Sequence, residues 1–363
     1  MKNILIFIFC FSMIYYSSEA QKPVRIGVAG LSHSHVVPLL RNLNRNDIQI
    51  VGIAESDTAL SKRYVKQFGI DPSLLYTSLQ KMLEQTKPEG VITFTSIFEH
   101  LKVVEACATR GIHVMVEKPL AVSVKQALSM TKLAKKFGIL LLTNYETSWY
   151  PSNYVGYKMI DQGELGELRK IIVYDGHKGP KEIGVNNEFL DWLTDPILNG
   201  GGAVTDFGCY GADLMTWIMK GKKPESVFAV LKHYKPNVYP KVDDDATLIL
   251  SYPTMEGVIH ASWNWPFNRK DMHVYGTTGY AFIDDAETIR YRLDEKSKEQ
   301  VKKVPLSEAP FNDPFTFFAK AIRKEVTIQP TDLASPETNL TVVEILEAAR
   351  KSSKTGKQVK INQ

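Results

Sequence analysis

Three cysteines in 363 residues, Cys10, Cys107 and Cys209, are too few for a disulfide framework. No apolar run reaches the roughly 18 residues of a membrane span, and a mean hydropathy of −0.16 excludes a polytopic membrane protein. Charge of either sign is scarcely in excess. The 44 Lys and Arg against 40 Asp and Glu leave +4, far below the density of a dedicated nucleic-acid binder. Internal repeats and low-complexity tracts are missing as well. What is present is a generous supply of core-forming residues, including 16 Phe, 16 Tyr and 5 Trp, which excludes wholesale disorder. The length exceeds one ordinary core and fits two globular domains.

The N-terminus reads as an address. Lys2 supplies a positive start, Ile4 to Tyr16 is apolar apart from Ser12, and Ser18-Glu19-Ala20 places small residues before a cleavage point at Gln21. Cys10 lacks the small residues that precede a lipidated cysteine, and no twin-arginine pair occurs. Residues 1–20 are therefore expected to be a Sec-type signal peptide, with the protein periplasmic or secreted and without a stable membrane span after cleavage. Loss of Lys2 and Glu19 together leaves the net charge unchanged, and only Cys107 and Cys209 remain.

From Val24 to about Thr143, short β-branched runs alternate with amphipathic stretches. The runs are Val24–Val28, Ile48–Ala54, Gly90–Thr95, His113–Val116 and Ile139–Thr143. That alternation predicts βαβ units and a doubly wound parallel sheet over residues 21–143. Beyond Asn144 the predicted strands follow one another with few helices between them: Ile171–Tyr174, Ser226–Lys232, Ala246–Tyr252, Glu256–Trp265 and His273–Tyr275. Residues 144–363 are accordingly expected to form an α+β domain with a large, open, mostly antiparallel sheet, giving an α/β protein overall. Exposed apolar sheet surface would favour a homo-oligomer, a dimer or tetramer.

The first predicted strand runs into Gly30-Leu31-Ser32-His33-Ser34-His35, and a helix follows from about Val36. Strand, tight loop and helix is the setting of a dinucleotide-binding fold, with the helix N-terminus offered to a pyrophosphate. Of the G-x-G-x-x-G pattern only Gly30 is kept; Ser32 and the bulkier His35 replace the other glycines. Glu55 ends the second strand, where a carboxylate accepts hydrogen bonds from a ribose diol, so NAD is expected over NADP. Lys62 and Arg63 leave NADP open. His33 and His35 are not expected to hold a metal, since i,i+2 residues do not share a helix face.

Three further segments carry chemistry. His113 to Leu120 places Glu117-Lys118-Pro119 at the end of an apolar strand, and Gly200-Gly201-Gly202 leads to Asp206 and Tyr210, four apart at a helix start. His100 opens the helix before Gly111-Ile112-His113. Together these resemble the Gfo/Idh/MocA family of glucose–fructose oxidoreductases, inositol dehydrogenases and relatives. The resemblance spans nearly all of the chain after residue 20, extending to Asp161-Gln162-Gly163-Glu164-Leu165-Gly166 and Glu347-Ala348-Ala349-Arg350. It implies a Rossmann domain followed by an open-sheet domain, and oxidation of a sugar or cyclitol hydroxyl, or reduction of the matching ketone, with NAD(P). Carried over residue by residue, Lys118 contacts the reacting hydroxyl, Asp206 orients the substrate and Tyr210 is the general acid/base. Many relatives have His at the last position; Tyr210 is similar to the glucose–fructose oxidoreductase branch.

Oxidation of a carbinol requires its hydroxyl proton to leave, so a base must lie within hydrogen-bond reach. Tyrosine is a poor base at neutral pH, and Lys118 is expected to favour its phenolate. The loop reading and the resemblance together assign cofactor contacts to Gly30, Leu31, Ser32, His33, Glu55, Thr95, His100, Glu117 and Lys118. Substrate contacts are expected from His177, which follows a strand, and from Trp263 and Trp265, which would share one strand face and stack on a sugar ring. Asp243-Asp244-Asp245 is expected to be solvated where it leads into a strand. The segment Asn144 to Pro151 lies at the domain junction and lacks the arginine many relatives carry there.

An exported dehydrogenase has little free nicotinamide to draw on. Two other classes therefore stay open: a glycosidase or lyase that uses tightly bound NAD for transient oxidation without net redox, and a cofactor-free sugar-binding protein.

Overall fold

The computed structural model describes residues 21–362, so the expected signal peptide lies outside the described residues. The chain begins with β1 (Val24–Ala29), α1 (Val36–Arg41), β2 (Ile48–Ala54), α2 (Thr58–Phe68), β3 (Leu75–Tyr76) and α3 (Leu79–Thr86). It continues through β4 (Gly90–Thr93), α4 (His100–Ala108), β5 (His113–Glu117), α5 (Val124–Phe137) and β6 (Leu141–Asn144). The strands form a six-stranded parallel sheet in the order β3-β2-β1-β4-β5-β6. Every residue of β4 is buried, as expected for a strand covered by helices on both faces. The chain winds outward from β1 in one direction and then returns to β4 on its other side. The crevice this leaves above the carboxyl ends of β1 and β4 is where doubly wound sheets bind ligands.

Helix ends in this half are set by local chemistry. The Asp57 side chain accepts from the Ala59 and Leu60 N–H groups to start α2, and Ser123 does the same for α5 through Gln126. Both helices stop at a left-handed glycine, Gly69 and Gly138.

The second half comprises α6 (Pro151–Asp161), β7 (Leu168–Gly176), α7 (Asn187–Leu193), α8 (Ala203–Asp206), α9 (Gly208–Ile218), β8 (Ser226–Lys232) and β9 (Asp245–Ser251). These are followed by β10 (Glu256–Ser262), β11 (Arg269–Gly276), β12 (Tyr280–Ile283), β13 (Thr288–Arg292), β14 (Gln300–Lys303), α10 (Pro314–Ile322), α11 (Pro336–Thr355) and β15 (Val359–Lys360). Nine strands form one sheet, β14-β13-β12-β11-β7-β10-β9-β8-β15. Only the β7–β10 pair is parallel. The alternating burial of β9 and β10 shows a sheet with one covered face, packed against α9 and α11. The other face carries Tyr174, His260, His273 and Phe282 in mutual ring contact and only partly buried.

The C-terminal stretch does not stay with the second sheet. Phe315, Phe317 and Phe318 of α10 join the core of the first sheet with Ile26, Ile92 and Leu142, while α11 packs on both α5 and α9. The two sheets are thereby tied together by the C-terminal helices as well.

Candidate functional site

Lys118 follows directly on β5, and Asp206 ends α8. The Lys118 Nζ donates to Asp206 Oδ1 at 2.6 Å and to its carbonyl oxygen at 3.0 Å, with both side chains buried. Burial opposes the charge on Lys118, but the adjacent Asp206 outweighs it and holds the ammonium above its ordinary pKa. Burial likewise opposes ionisation of Asp206; Lys118, then His177, hold its carboxyl below the ordinary value. The second Asp206 oxygen accepts from Trp263 Nε1 at 2.9 Å. The result is a buried ion pair whose carboxylate is fixed from both sides.

The glycine run explains how Asp206 reaches that point. The backbone passes so close to β9 that a Cβ on Gly202 would lie 1.8 Å from the Asp243 carbonyl oxygen. The Asp243 carboxylate accepts from the Gly202 and Val204 N–H groups at 2.9 and 2.7 Å, which starts α8. Asp243 and Asp244 are thus buried backbone latches, not the solvated residues expected from the sequence. Asp244 accepts from the Tyr234 and Lys235 N–H groups.

Tyr210 departs from expectation in two ways. Asp206 and Tyr210 do not share one helix: the chain breaks at Phe207, and Tyr210 belongs to α9. Nor does Lys118 address the phenol oxygen. Its ammonium faces the ring, 5.1 Å from the centroid, while Lys270 lies 4.9 Å from the same centroid. Burial, then the charge of Glu146, pushes the Tyr210 hydroxyl well above the ordinary tyrosine range. Tyr210 is therefore held as the neutral phenol, not the phenolate expected from Lys118. Lys270 itself pairs with Glu146 and supplies a cation where no arginine was found in the sequence.

Beside this centre lies a cavity of about 450 Å³, lined by Glu146, Tyr150, His177, Phe207, Phe267, Arg269, Lys270, Asp271, Asp284 and Asp285. His177, expected to contact substrate, is one of the residues lining this cavity. Its Nδ1 accepts from the Gly179 N–H at 3.0 Å, so the neutral ring carries its proton on Nε2. Burial lowers its pKa, and its ring stands edge-on to Phe207 at 4.9 Å. The tryptophans do not take the role expected of them. β10 ends at Ser262, so Trp263 and Trp265 do not share a strand face; Trp263 is fully buried on Tyr239, and Trp265 packs on Arg269. Phe207 and Phe267, the latter 65% exposed, give the cavity its apolar aromatic surface, beside the polar rings of Tyr150 and His177.

A second cleft, of about 640 Å³, opens at the carboxyl ends of β1 and β2 and is lined by Gly30, Ser32, Glu55, Asp57, Thr95 and, from α7, Glu188. Gly30 tests whether it suits a dinucleotide. At φ +80°, with a would-be Cβ 2.6 Å from Thr95 Cγ2 and 3.1 Å from the Phe94 backbone, only glycine turns the loop there and leaves the crevice clear. The site fits. Glu55 accepts from the Leu31 and Asp57 N–H groups, both at 2.8 Å, so its carboxylate faces the cleft already oriented. Leu31 itself is buried and serves the loop, not the cleft.

The helix terminus contributes less than expected. α1 has six residues, and its leading Val36 and Val37 N–H groups are bonded to the His33 and Ser34 carbonyls. His35 is accommodated because its ring turns toward β5, where Nδ1 meets Glu117 Oε2 at 2.8 Å. The other Glu117 oxygen accepts from Asn144. His33 is buried against Phe189 and Trp192 of α7. Among the described residues, His33, His35 and Glu117 bring ligand-type atoms within 4.8 Å of one another. The helix-face argument against a metal fails, since the pair lies in a loop, but the existing hydrogen bonds account for the grouping. His100 is buried behind this cluster, with Nδ1 3.1 Å from the Leu120 carbonyl.

Comparison with known proteins follows this geometry. Residues 24–145 match an oxidoreductase family with an NAD-binding Rossmann fold, and residues 157–282 match the GFO/IDH/MocA C-terminal domain. The trans-1,2-dihydrobenzene-1,2-diol dehydrogenase of Bos taurus is 28% identical over 285 residues, covering 78% of this chain and 79% of that protein. Two solved structures share the fold. An inositol dehydrogenase homologue from Azotobacter vinelandii, complexed with NAD+, has a TM-score of 0.82 at 18% identity, covering 96% of this chain and all of that one. An aldose–aldose oxidoreductase from Caulobacter crescentus, complexed with glycerol, has a TM-score of 0.78 at 20% identity, covering 93% and 100%.

Proposed function

Because the chain belongs to the Gfo/Idh/MocA family of NAD-binding oxidoreductases, we propose that its substrate is a CH–OH group of a sugar, sugar derivative or cyclitol, oxidised at the Lys118–Asp206 centre. The observation that carries this reading is the buried pair itself, set beside a cavity rich in both carboxylates and cations. Polyhydroxylated rings need many hydrogen-bond partners and an apolar surface for their C–H face. Asp271, Asp284, Glu146 and Arg269 offer the former; Phe207 and Phe267 offer the latter. The relatives named for diol, inositol and aldose chemistry point the same way.

Bound in the cleft lined by Gly30, Ser32 and Glu55, NAD would supply the hydride acceptor for the carbinol carbon. The chain's own residues hold and discharge the oxygen. Lys118 presents a permanently charged ammonium that stabilises negative charge developing there, and Asp206 keeps that ammonium in place. Tyr210 and the Nε2–H of His177 are neutral donors suited to hold the substrate oxygen; Tyr210 would give its proton to the carbonyl oxygen in the reducing direction, and its ionised form, the minor one, would take the hydroxyl proton in oxidation.

The reading also places the enzyme outside the cytoplasm, supported by the sequence pattern of residues 1–20, and pairs subunits through the partly buried aromatic face of the second sheet. Denatured protein recovered after export would titrate two thiols if cleavage precedes Gln21, and three if Cys10 remains. Light scattering would return a dimer or tetramer; a monomer at micromolar concentration would refute the pairing. For the activity, a panel of aldoses, glycosides and inositols is incubated with NAD+ and the NADH absorbance followed. NADH formed with non-carbohydrate alcohols and with no member of the panel would sink the substrate assignment.

A further inference from the structure

We infer that Glu188, a residue of α7 outside the Rossmann domain, makes the cofactor cleft selective for NAD over NADP by holding Arg63 away from the adenosine ribose. The inference rests on the dinucleotide reading of the cleft and adds to it a specificity residue from the opposite half of the chain.

A 2′-phosphate on the adenosine ribose needs a cation near the end of the second strand. α2 begins three residues beyond Glu55 and carries two candidates, Lys62 and Arg63. Arg63 is the better suited, because a guanidinium can engage a phosphate bidentately. In the structure that guanidinium is already committed. Arg63 Nη2 donates to Glu188 Oε1, across a sequence separation of 125 residues. Glu188 is the more buried partner: its side chain is 18% exposed against 50% for Arg63, and it lines the cleft that Arg63 does not.

The neighbouring contacts keep Glu188 there. Asn186, just before α7, donates to the Tyr64 hydroxyl at 3.1 Å, so two adjacent α2 residues are held by one residue of α7 and the one that precedes it. Deeper in, Phe189 and Trp192 of α7 pack on His33 in the glycine loop. α7 therefore crosses from the second domain to the rim of the cleft and cannot be displaced by Arg63 alone.

The charge balance at that rim follows. Glu55, Asp57 and Glu188 contribute three carboxylates, and the nearby guanidinium is neutralised by one of them. A ribose diol donates to such a surface, whereas a phosphate dianion is repelled by it. Two cations do line the far wall, Lys102 and Arg110 of the α4 segment. Arg110 is engaged by the Ala106 carbonyl and the Gln80 side chain.

The test is a direct binding titration of protein stripped of nucleotide, using NAD+ and NADP+ by calorimetry, with no turnover involved. Wild type is expected to bind NAD+ at least tenfold more tightly than NADP+. Glu188→Gln keeps the shape, frees Arg63 and is expected to raise the ratio of NADP+ to NAD+ affinity tenfold or more. Adding Arg63→Ala to Glu188→Gln should abolish that gain. An unchanged NADP+/NAD+ ratio in Glu188→Gln overturns the inference, as does a wild-type preference for NADP+ or a gain that survives Arg63→Ala. If neither nucleotide binds any variant, the dinucleotide reading itself fails, and the inference with it.

Discussion

Lys118, one residue past β5, and Asp206, the last residue of α8, hold each other at 2.6 Å across 88 residues of sequence. Each comes from a different sheet system, so the pair exists only when both domains are folded and docked. Neither group has water to fall back on. The ion pair consequently couples the reaction centre to the integrity of the whole chain.

Removing one partner leaves a buried charge. Asp206→Ala is expected to destabilise the protein by about 3–5 kcal/mol in urea denaturation. The double variant Lys118→Met with Asp206→Leu should recover most of that loss, since an apolar pair needs no solvation, yet remain inactive. A double variant no more stable than Asp206→Ala would show that the pair does not carry the effect.

Trp263 acts through Asp206. Trp263→Phe preserves most of the ring volume but deletes the Nε1 donor to Oδ2. A cost of about 1–3 kcal/mol in stability is expected, together with a fall in kcat larger than any rise in KM. Stacking of Trp263 on the substrate would instead produce mainly a KM effect.

The buried histidines make acid stability asymmetric. Burial lowers His100 from 6.5 to about 4, and burial, then His35, lowers His33 as well. The unfolded chain therefore binds more protons than the native one between these values, so stability is full above pH 6.5 and falls as pH drops toward 4. For His100 alone the loss amounts to roughly 3 kcal/mol. An NMR titration should find the His100 ring neutral down to about pH 4; titration near 6.5 would contradict its buried, neutral placement.

Asp175 sits at the end of β7, fully buried, with neither carboxylate oxygen hydrogen-bonded. Burial raises its pKa well above the ordinary range. Such a group weakens the fold as pH rises past its unfolded value near 4, because the unfolded chain ionises first. Asp175→Asn should accordingly be more stable than wild type at pH 8, by about 1 kcal/mol or more, and close to it at pH 3. Equal stability at both pH values would mean that Asp175 has a partner in solution.

Much of this was legible in the sequence where the signal is local. Continuous apolar runs located β1, β2, β4, β5 and β6, though not the two-residue β3, and Glu117-Lys118-Pro119 with Gly202 to Tyr210 located the centre. The edge strands were not seen: β14, Gln300–Lys303, is exposed at every residue and has no buried face to pattern it. Trp263 and Trp265 misled because an alternating pair reads as strand: the Trp263 N–H still bonds the Asp244 carbonyl in register with β9, but regular strand ends at Ser262. Lys270, Glu146 and Glu188 acquire meaning through partners more than 100 residues away. No spacing rule reaches that far.

The central claim is that Lys118 serves hydride chemistry on a hydroxyl carbon and not the fold alone. Its most direct test is single-turnover NADH formation on the best sugar or cyclitol substrate, comparing wild type with Lys118→Met in protein shown by calorimetry to bind NAD+. The account predicts nucleotide binding within about threefold of wild type and a rate reduced by roughly 10²–10⁴. A Lys118→Met protein that forms NADH at the wild-type rate would contradict it.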